Sequence, residues 1–285
     1  MQIIREIDEL RREVAAIRAA GGTLALVPTM GALHAGHMAL VAEAKRHASH
    51  VAASIFVNPT QFGPNEDLSR YPRQEAEDAA MVEAAGCALL WAPSVATMYP
   101  EGHATSIRVA GVSEPLEGAH RPGHFDGVAT VVAKLFVQVQ PDVALFGEKD
   151  FQQLAVIRKM ARDLDLPVRI VGVPTQRDAD GVALSSRNAY LSGDERVAAS
   201  SSARALPRAL LEAARSLRDG EAVEAVLERA RAQLREAGFD PIDYVALADA
   251  ETLAPAGDLA RPRRLLAAAK LGRTRLIDNV AVEPH

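Results

Sequence analysis

The sequence has 285 residues, of which 48% are hydrophobic and 24% charged, a composition typical of a globular protein with a sizeable core. Its net charge is -5, whereas nucleic-acid-binding proteins hold phosphates with an excess of basic residues. The charge therefore argues against a nucleic-acid partner. It contains a single cysteine and no apolar stretch long enough to cross a bilayer, so we expect a cytoplasmic protein without a membrane anchor or an internal disulfide.

The first predicted elements are a helix and a strand that lead into a polar segment. Apolar residues recur at steps of three and four from Ile3 to Ile17, which predicts an amphipathic helix that ends before the glycine pair at residues 21–22. The apolar run at residues 23–27 predicts a buried strand. Helical spacing after Gly36 predicts a second helix, so the chain passes from strand to helix through a short loop.

That loop, residues 27–37, has the sequence Val-Pro-Thr-Met-Gly-Ala-Leu-His-Ala-Gly-His. A helix start offers unpaired backbone N–H groups and about half a positive charge, which suits a phosphate chain, and Gly36 allows an anion to approach closely. His34 and His37 project to the same side, where they can donate hydrogen bonds to oxygens that gain charge as a phosphate leaves. Helix capping and metal chelation are the competing interpretations, and a nearby Glu or Cys ligand set is lacking for the metal.

Polar side chains also follow the second predicted strand, residues 51–57. Open α/β sheets bind ligands at the carboxyl ends of their strands, so Asn58 and Gln61 are candidates to hydrogen-bond a small polar substrate. Ordinary turn chemistry beside Pro59 explains them equally well. Tyr71 could close over this loop.

A helix through Val82 and a strand over residues 87–91 come next, and we expect Cys87 to be a buried thiol. Glu77 and Asp78 lie on that helix, where we expect a solvated acidic face rather than a metal site.

The segment at residues 117–127 is rich in glycine and polar residues, which is atypical of a core element. We expect a lid or a disordered segment there, in which Arg121 would contact a phosphate or a carboxylate. A largely buried helix is predicted behind it, at residues 128–138.

The next predicted strand, residues 143–146, ends in Gly-Glu-Lys-Asp at residues 147–150. Lys149 would be a point charge at a helix start, well placed for a phosphate chain, and Asp150 could hold a ribose hydroxyl, orient the lysine or help to carry Mg²⁺. Taken alone, the tetrapeptide is a charged turn with an Asp cap. Its position at the same sheet edge as the two histidines favours the phosphate site.

A third polar cluster follows a strand predicted at residues 168–173. Ser185, Ser186 and Arg187 offer two hydroxyls and a fixed cation to phosphate oxygens, although a helix-capping turn would use the same residues. Strands alternate with helices up to this point, which predicts an α/β fold with a parallel sheet and helices on both faces.

The composition changes after Asp194 to segments rich in Ala, Leu and Arg. We expect a parallel-sheet domain at residues 1–176 and a smaller α+β domain at residues 177–285. The elements predicted in the smaller domain are two helices and three short strands, at residues 195–217, 222–237, 242–247, 265–271 and 274–277.

The loop at residues 27–37 resembles the HxGH signature of the nucleotidyltransferase superfamily, whose members transfer an adenylyl group from ATP. Its longer string, Pro-Thr-Met-Gly-Ala-Leu-His-Ala-Gly-His, resembles one family within it, the pantothenate synthetases, which join pantoate to β-alanine. Further matching strings are Phe-Val-Asn-Pro-Thr-Gln-Phe, Phe-Gly-Glu-Lys-Asp-Phe-Gln-Gln-Leu and Asp-Gly-Val-Ala-Leu-Ser-Ser-Arg-Asn-Ala-Tyr-Leu. The similarity covers nearly the whole chain and ends at Leu276-Ile277-Asp278-Asn279.

The resemblance implies a Rossmann-like amino-terminal domain, a smaller carboxyl-terminal domain that closes over the site, and a homodimer. It implies that ATP is a substrate and that Mg²⁺ is bound mainly through the phosphates, with its protein ligands unknown. It also implies that His37 is the proton donor. The catalytic residues would be His34, His37, Lys149, Ser185, Ser186 and Arg187. ATP would be held by Met30, Gly31, Ala32, Leu33, His34, Ala35, Gly36, His37, Gly147, Glu148, Lys149, Asp150, Gln176, Leu184, Ser185, Ser186 and Arg187. The substrate side would comprise Gln61 for pantoate and β-alanine, Gln153 for pantoate, and Asn58, Tyr71 and Arg121.

The implied activity is a ligation in two steps. ATP first converts the carboxylate of (R)-pantoate to pantoyl adenylate with release of pyrophosphate, and the amine of β-alanine then attacks the acyl carbon and expels AMP. Lid segments would keep water from the reactive anhydride. An adenylyltransferase that leaves AMP on its product and a nucleotide-binding module without catalysis remain the alternatives. The length and acidity of the chain argue against an aminoacyl-tRNA ligase.

Overall fold

The computed structural model describes residues 1–64, 66–190, 202–256 and 260–283. Within them, six strands form the larger sheet: β1 (Gln2–Ile4), β2 (Leu24–Thr29), β3 (His50–Ile55), β4 (Leu89–Trp91), β5 (Val143–Gly147) and β6 (Arg169–Val173). All neighbouring pairs are parallel, in the order β1-β4-β3-β2-β5-β6. The predicted parallel α/β sheet is therefore confirmed, with β3 and β2 at its centre and β5 next to β2.

Helices cover both faces of this sheet: α1 (Ile7–Ala19), α2 (Ala35–Ala44), α3 (Glu75–Ala84), α4 (Val95–Met98), α5 (Glu117–His120), α6 (His124–Val139) and α7 (Phe151–Asp163). Alternate residues of β2 enter different cores. Leu24 and Leu26 pack with α1, α6 and α7, whereas Ala25 and Val27 pack with α2 and α3. This burial on both faces explains the continuous apolar run of the strand. Among the described residues, no helix combines the length and the apolar character needed to cross a bilayer.

A second unit with its own core follows, which confirms the smaller α+β domain. Its elements are α8 (Ala205–Arg218), α9 (Val223–Glu236) and the antiparallel strands β7 (Phe239–Asp249), β8 (Arg263–Leu271) and β9 (Thr274–Val282). Leu210 of α8 and Leu234 of α9 pack against Phe239 and Leu265 of its sheet. The predicted start of its first helix, at residue 195, lies outside the described residues, and the boundary at residue 176 stays a prediction.

The amino terminus corrects the prediction of a helix from Ile3. Residues 2–4 form the edge strand β1, which pairs with β4 through Ile3 and Leu90, and the helix begins only at Ile7. Ile4 is fully buried under the sheet edge while Ile3 is 47% exposed, a two-residue alternation that strand pairing imposes. Pairing with β4 thus overrides the helical spacing of the apolar residues.

The segment at residues 117–127 corrects the prediction of a lid or disordered loop. It contains α5 and the first turn of α6, and Glu117, His124 and Phe125 are buried. Gly127 packs so closely on the loop after β3 that a Cβ there would lie 2.6 Å from the carbonyl oxygen of Thr60. Polar residues are buried here because they pair with groups from distant parts of the chain.

Candidate active site

The loop after β2 makes a left-handed turn before α2 begins. Gly31 and Ala32 have φ values of +85° and +51°, in the region that favours glycine. A Cβ on Gly31 would lie 2.9 Å from Oδ2 of Asp78, so the turn also needs the space that glycine leaves. The backbone N–H groups of Ala32 and Leu33 donate to the Asp78 carboxylate at 2.8 Å each.

Asp78 corrects the expectation of a solvated acidic face. The residue is 1% exposed on α3, whereas its neighbour Glu77 is exposed. Burial is possible because the two N–H donors offset the cost of removing the carboxylate from water. The sequence carries a signal for this, since Asp78 lies four residues before the buried Val82 and therefore on the same helix face.

His34 and His37 pack against each other at the start of α2, with ring centroids 4.2 Å apart. The Nδ1 atom of His34 accepts from the Gly36 N–H at 3.1 Å, and Nδ1 of His37 accepts from the His34 N–H at 3.3 Å. Both rings therefore cap the helix, and both carry their hydrogen on Nε2 when neutral. Gly36 is required by this packing, because a Cβ there would lie 2.8 Å from the His34 ring.

The two imidazoles are held in their neutral forms. Burial, followed by the neighbouring His34, lowers the pKa of His37 to about 3. Burial and the positive charge of Lys149 lower the pKa of His34 as well. At neutral pH each Nε2–H is therefore an uncharged hydrogen-bond donor, and the role of His37 as a proton donor stays a prediction.

Lys149 lies in a short 3₁₀ turn, Glu148–Asp150, between β5 and α7. Its Nζ is 3.7 Å from Oδ1 of Asp150, and its charge acts on His34. The first and second predicted phosphate segments therefore lie side by side. The Glu148 carboxylate instead pairs with Arg264 of β8, at 3.2 Å.

The third predicted segment is tied to the loop that follows β3. The hydroxyl of Ser186 lies 3.3 Å from that of Tyr71, and Arg187 pairs with Asp67 at 3.2 and 3.3 Å. The Ser185 hydroxyl accepts from the Arg187 N–H at 3.3 Å. Tyr71 is 6% exposed and thus closes over this segment. Its contact with a substrate stays a prediction.

The three segments meet around one cavity of about 230 Å³ at the carboxyl edge of the parallel sheet. It joins a cleft of about 920 Å³ that reaches the smaller domain, and both are lined by Lys149 and Arg187. Ligand sites usually measure about 300–1,000 Å³, a range that the cleft reaches and the smaller cavity alone does not. The predicted site residues that line the smaller cavity are Met30, His34, Gly36, His37, Asn58, Gln61, Tyr71, Arg121, Gly147, Lys149, Asp150, Gln153, Gln176, Leu184, Ser185, Ser186 and Arg187. The predicted ATP-binding residues outside this lining are Gly31, Ala32, Leu33, Ala35 and Glu148.

Asn58 is 1% exposed, and its amide is used inside the protein. Nδ2 donates to Oε1 of Gln61 at 3.0 Å and to the carbonyl of Gly127 at 3.2 Å. Oδ1 accepts from the hydroxyls of Tyr99 at 2.8 Å and Thr60 at 2.9 Å. Asn58 therefore orients Gln61 in the cavity wall, and its direct contact with a substrate stays a prediction.

Arg121 contacts a carboxylate, as predicted, but this carboxylate is the side chain of Glu66 rather than a substrate group. Its Nε and Nη2 donate to the two oxygens of Glu66 at 2.7 Å each, and Nη1 donates to Nε2 of His124 at 3.1 Å. His124 donates from Nδ1 to the carbonyl of Gln61 at 2.8 Å, which fixes its neutral tautomer. Burial and then the Arg121 charge lower the pKa of His124 to about 4. The sequence predicts neither Glu66 nor His124 as part of the site, because both are linked to it only through space.

Comparisons with known proteins show the family and the fold. A family model described as pantoate-beta-alanine ligase matches residues 2–281. Pantothenate synthetase from Rhizorhabdus wittichii is 66% identical, over 100% of this chain and 99% of its own. The crystal structure of pantothenate synthetase from Thermus thermophilus superposes with a TM-score of 0.91 at 48% identity and covers 100% of both chains. A pantoate-beta-alanine ligase from Francisella tularensis, complexed with beta-gamma ATP and beta-alanine, superposes with a TM-score of 0.77 at 32% identity, over 98% of this chain and 97% of that one.

Proposed function

This chain belongs to the pantoate–β-alanine ligase family, and from that premise we propose how its residues carry out the reaction. Its activity is the ATP-dependent joining of pantoate to β-alanine. The observation that carries the proposal is that three segments, each following a strand of the parallel sheet, line one cavity.

In the first step a pantoate carboxylate oxygen bonds to the α-phosphorus of ATP, and the bond from that phosphorus to the pyrophosphate oxygen breaks. Negative charge grows on the leaving pyrophosphate, where Lys149 and Arg187 supply positive charge, with Arg187 exchanging Asp67 for a phosphate oxygen. The Nε2–H groups of His34 and His37 donate to the α-phosphate. Each such donor typically contributes about 2.7–4 kcal/mol to lowering the barrier.

Pantoate carries two methyl groups between its hydroxyl-bearing carbons, so its site needs both apolar and amide contacts. One wall of the cavity consists of Val128, Val131 and Leu135 of α6, and Gln61 and Gln153 also line it. We place the methyl groups against the valines and the hydroxyls on the two amides. This arrangement holds the pantoate carboxylate toward the phosphate segments.

In the second step the nitrogen of β-alanine attacks the acyl carbon, the bond from that carbon to the AMP oxygen breaks, and the nitrogen loses a proton as the amide forms. Water would compete for the same anhydride. The segment after β3 covers the cavity, with the Phe62 and Tyr71 rings edge to face at 5.8 Å. Its ion pair from Glu66 to Arg121 anchors this cover to α5 and α6.

The residues present fit a Mg²⁺ ion held by the substrate rather than by a protein cage. Among the described residues no group of three or more His, Cys, Asp or Glu side chains could hold a metal ion. Asp150 is the carboxylate beside Lys149 on the cavity, and Mg²⁺ with ATP usually takes one or two carboxylates plus phosphate oxygens. Bound there, the ion would neutralise phosphate charge.

We also propose that the protein is a cytoplasmic homodimer. The dimer rests on the family resemblance, and the cytoplasmic location is supported by the single cysteine, Cys87, which leaves no partner for an internal disulfide. Light scattering of the purified protein measures the mass of the assembly, and a mass of one chain would contradict the dimer.

The products distinguish this reaction from its alternatives. With ATP, Mg²⁺, pantoate and β-alanine, we expect one AMP and one pyrophosphate for each amide formed. An adenylyltransferase would release pyrophosphate but retain AMP on its product, and a binding module would release neither. Separate enzymatic assays of pyrophosphate and AMP measure both, and pantoate-dependent turnover without free AMP would contradict the ligase.

A further inference from the structure

The pair Asp278-Asn279 on β9 lies where the smaller domain meets the phosphate segments. Both residues are polar, yet each is only 3% exposed. They are also the last residues of the sequence resemblance, and the reaction described above assigns them no part. Buried polar side chains require partners, so their partners indicate what they do.

Asn279 holds the turn that carries Lys149. Its Nδ2 donates to the backbone carbonyls of Glu148 and Lys149, at 2.9 Å each, which uses both hydrogens of the amide. Its Oδ1 accepts from Nε of Arg264, which also pairs with the Glu148 carboxylate and lies 4.3 Å from the centre of the Phe151 ring. The orientation of the amide is therefore fixed from both ends.

Asp278 holds the segment that leads into the two serines and Arg187. Its oxygens accept from Nη1 and Nη2 of Arg177 at 2.7 and 2.8 Å, a bidentate ion pair. Arg177 also donates to the carbonyl of Gly181 at 3.0 Å and forms a β-bridge with Ala183, so it shapes the hairpin that directly precedes residues 184–187. One carboxylate thereby fixes the base of the third segment.

The link between the two contacts is short and rigid. The Asp278 Oδ1 atom also accepts from the backbone N–H of Asn279 at 2.8 Å, and both residues pair with β8 in a regular antiparallel ladder. Adjacent residues of one strand thus hold two phosphate segments that are far apart in the chain, the Glu148–Asp150 turn and Ser185–Arg187.

We propose that Asp278 and Asn279 are positioning residues that fix the Lys149 turn and the Ser185–Arg187 segment relative to each other, so that the smaller domain sets the geometry of the phosphate-binding groups. The proposal rests on the proposed function, because that function makes these segments the ATP-binding groups. A displacement of about 1 Å in such groups can cost on the order of 10²-fold in rate. If these contacts only held the two domains together, their loss would lower the stability of the protein without changing the ratio of the two half-reaction rates.

The test compares the two half-reactions in the full-length protein. Asn279→Asp keeps the shape but sets a carboxylate oxygen against two carbonyl oxygens, and Asn279→Ala removes both donors without adding that repulsion. For both variants we expect pantoate-dependent pyrophosphate release to fall by about 10- to 100-fold and the KM for ATP to rise. Amide formation from added pantoyl adenylate and β-alanine, which needs no pyrophosphate contacts, should stay within about threefold of the wild type. Asp278→Asn should show the same split.

Val282→Ala is the matched control, because Val282 is 1% exposed on the same strand and packs in the core of the smaller domain. It should lower the Tm without changing the ratio of the two half-reaction rates. Equal losses in both half-reactions, or unchanged pyrophosphate release in folded Asn279→Ala, would overturn the positioning role. If the wild type itself released no pyrophosphate with pantoate, the proposed function would fail, and the positioning role with it.

Discussion

Replacing Asp78 by Asn should disturb the histidine loop without removing any side chain that faces the cavity. In the wild type the backbone N–H groups of Ala32 and Leu33 each donate to one carboxylate oxygen of Asp78, at 2.8 Å. Asparagine has the same size, but its NH₂ group replaces one of these oxygens and therefore faces one of the two N–H groups. A hydrogen bond to a charged group contributes about 1.5–3 kcal/mol, and an unsatisfied buried N–H costs about 1–3 kcal/mol. We therefore expect the free energy of unfolding to fall by about 2–4 kcal/mol.

The first half-reaction should fall as well, because His34 and His37 directly follow this turn and a small displacement of donors can cost on the order of 10²-fold. Denaturant titration measures the free energy of unfolding, and pantoate-dependent pyrophosphate release measures the half-reaction. Glu77→Gln is the matched control, since Glu77 is the exposed neighbour on the same helix, and it should change stability by less than about 0.5 kcal/mol. Wild-type stability and rate in Asp78→Asn would refute the view that this carboxylate holds the loop.

Three further predictions follow from charge and burial. Lys149→Ala should keep the wild-type Tm but lower pantoate-dependent pyrophosphate release by about 10²- to 10³-fold, and full activity would remove Lys149 from its role. The pKa of His37 is about 3 in the folded protein and about 6.5 in the unfolded chain, so the unfolded chain binds more protons and stability falls as the pH drops through this window. His37 should account for about 2 kcal/mol of the stability lost between pH 8 and pH 5, and denaturation curves of His37→Gln with an unchanged pH dependence would contradict this. Arg275→Ala leaves the 6% exposed Glu117 without its bidentate partner at 2.6 and 2.8 Å, which should cost about 3–5 kcal/mol by denaturant titration. Arg5→Ala, at an exposed ion pair, should cost less than about 1 kcal/mol, and equal losses would argue against a special role for burial.

The main features of the fold were predictable because they depend on local signals. The apolar run before the histidine loop, for example, follows from burial of β2 on both faces, and the polar segments after β2, β5 and β6 necessarily meet at one sheet edge. Three of the four strings that carried the family resemblance begin at the end of a strand or directly after it, at β2, β3 and β5, and the fourth begins at Asp180, beyond β6. The segments of the site could therefore be placed together from the sequence alone.

The contacts that hold these segments were not predictable from local patterns. Arg121 has a Glu66 partner 55 residues away, and Asn279 reaches a turn about 130 residues away, so no short window contains both partners. Local spacing also misled at Ile3, where pairing with β4 replaced the predicted helix. The solvated face predicted for Asp78 is also wrong, although its position four residues before the buried Val82 indicates an inward-facing carboxylate, if not the partners of that carboxylate.

The central claim is that three segments distant in the chain grip one triphosphate. A crystal structure of this protein with a non-hydrolysable ATP analogue and pantoate tests it directly. We expect phosphate oxygens within hydrogen-bond distance of Nε2 of His34 or His37, of the Lys149 ammonium, and of the Ser185–Arg187 segment, with the pantoate carboxylate next to the α-phosphate. An analogue whose phosphates contact only one of these segments, or lie outside the cavity they line, would contradict the claim.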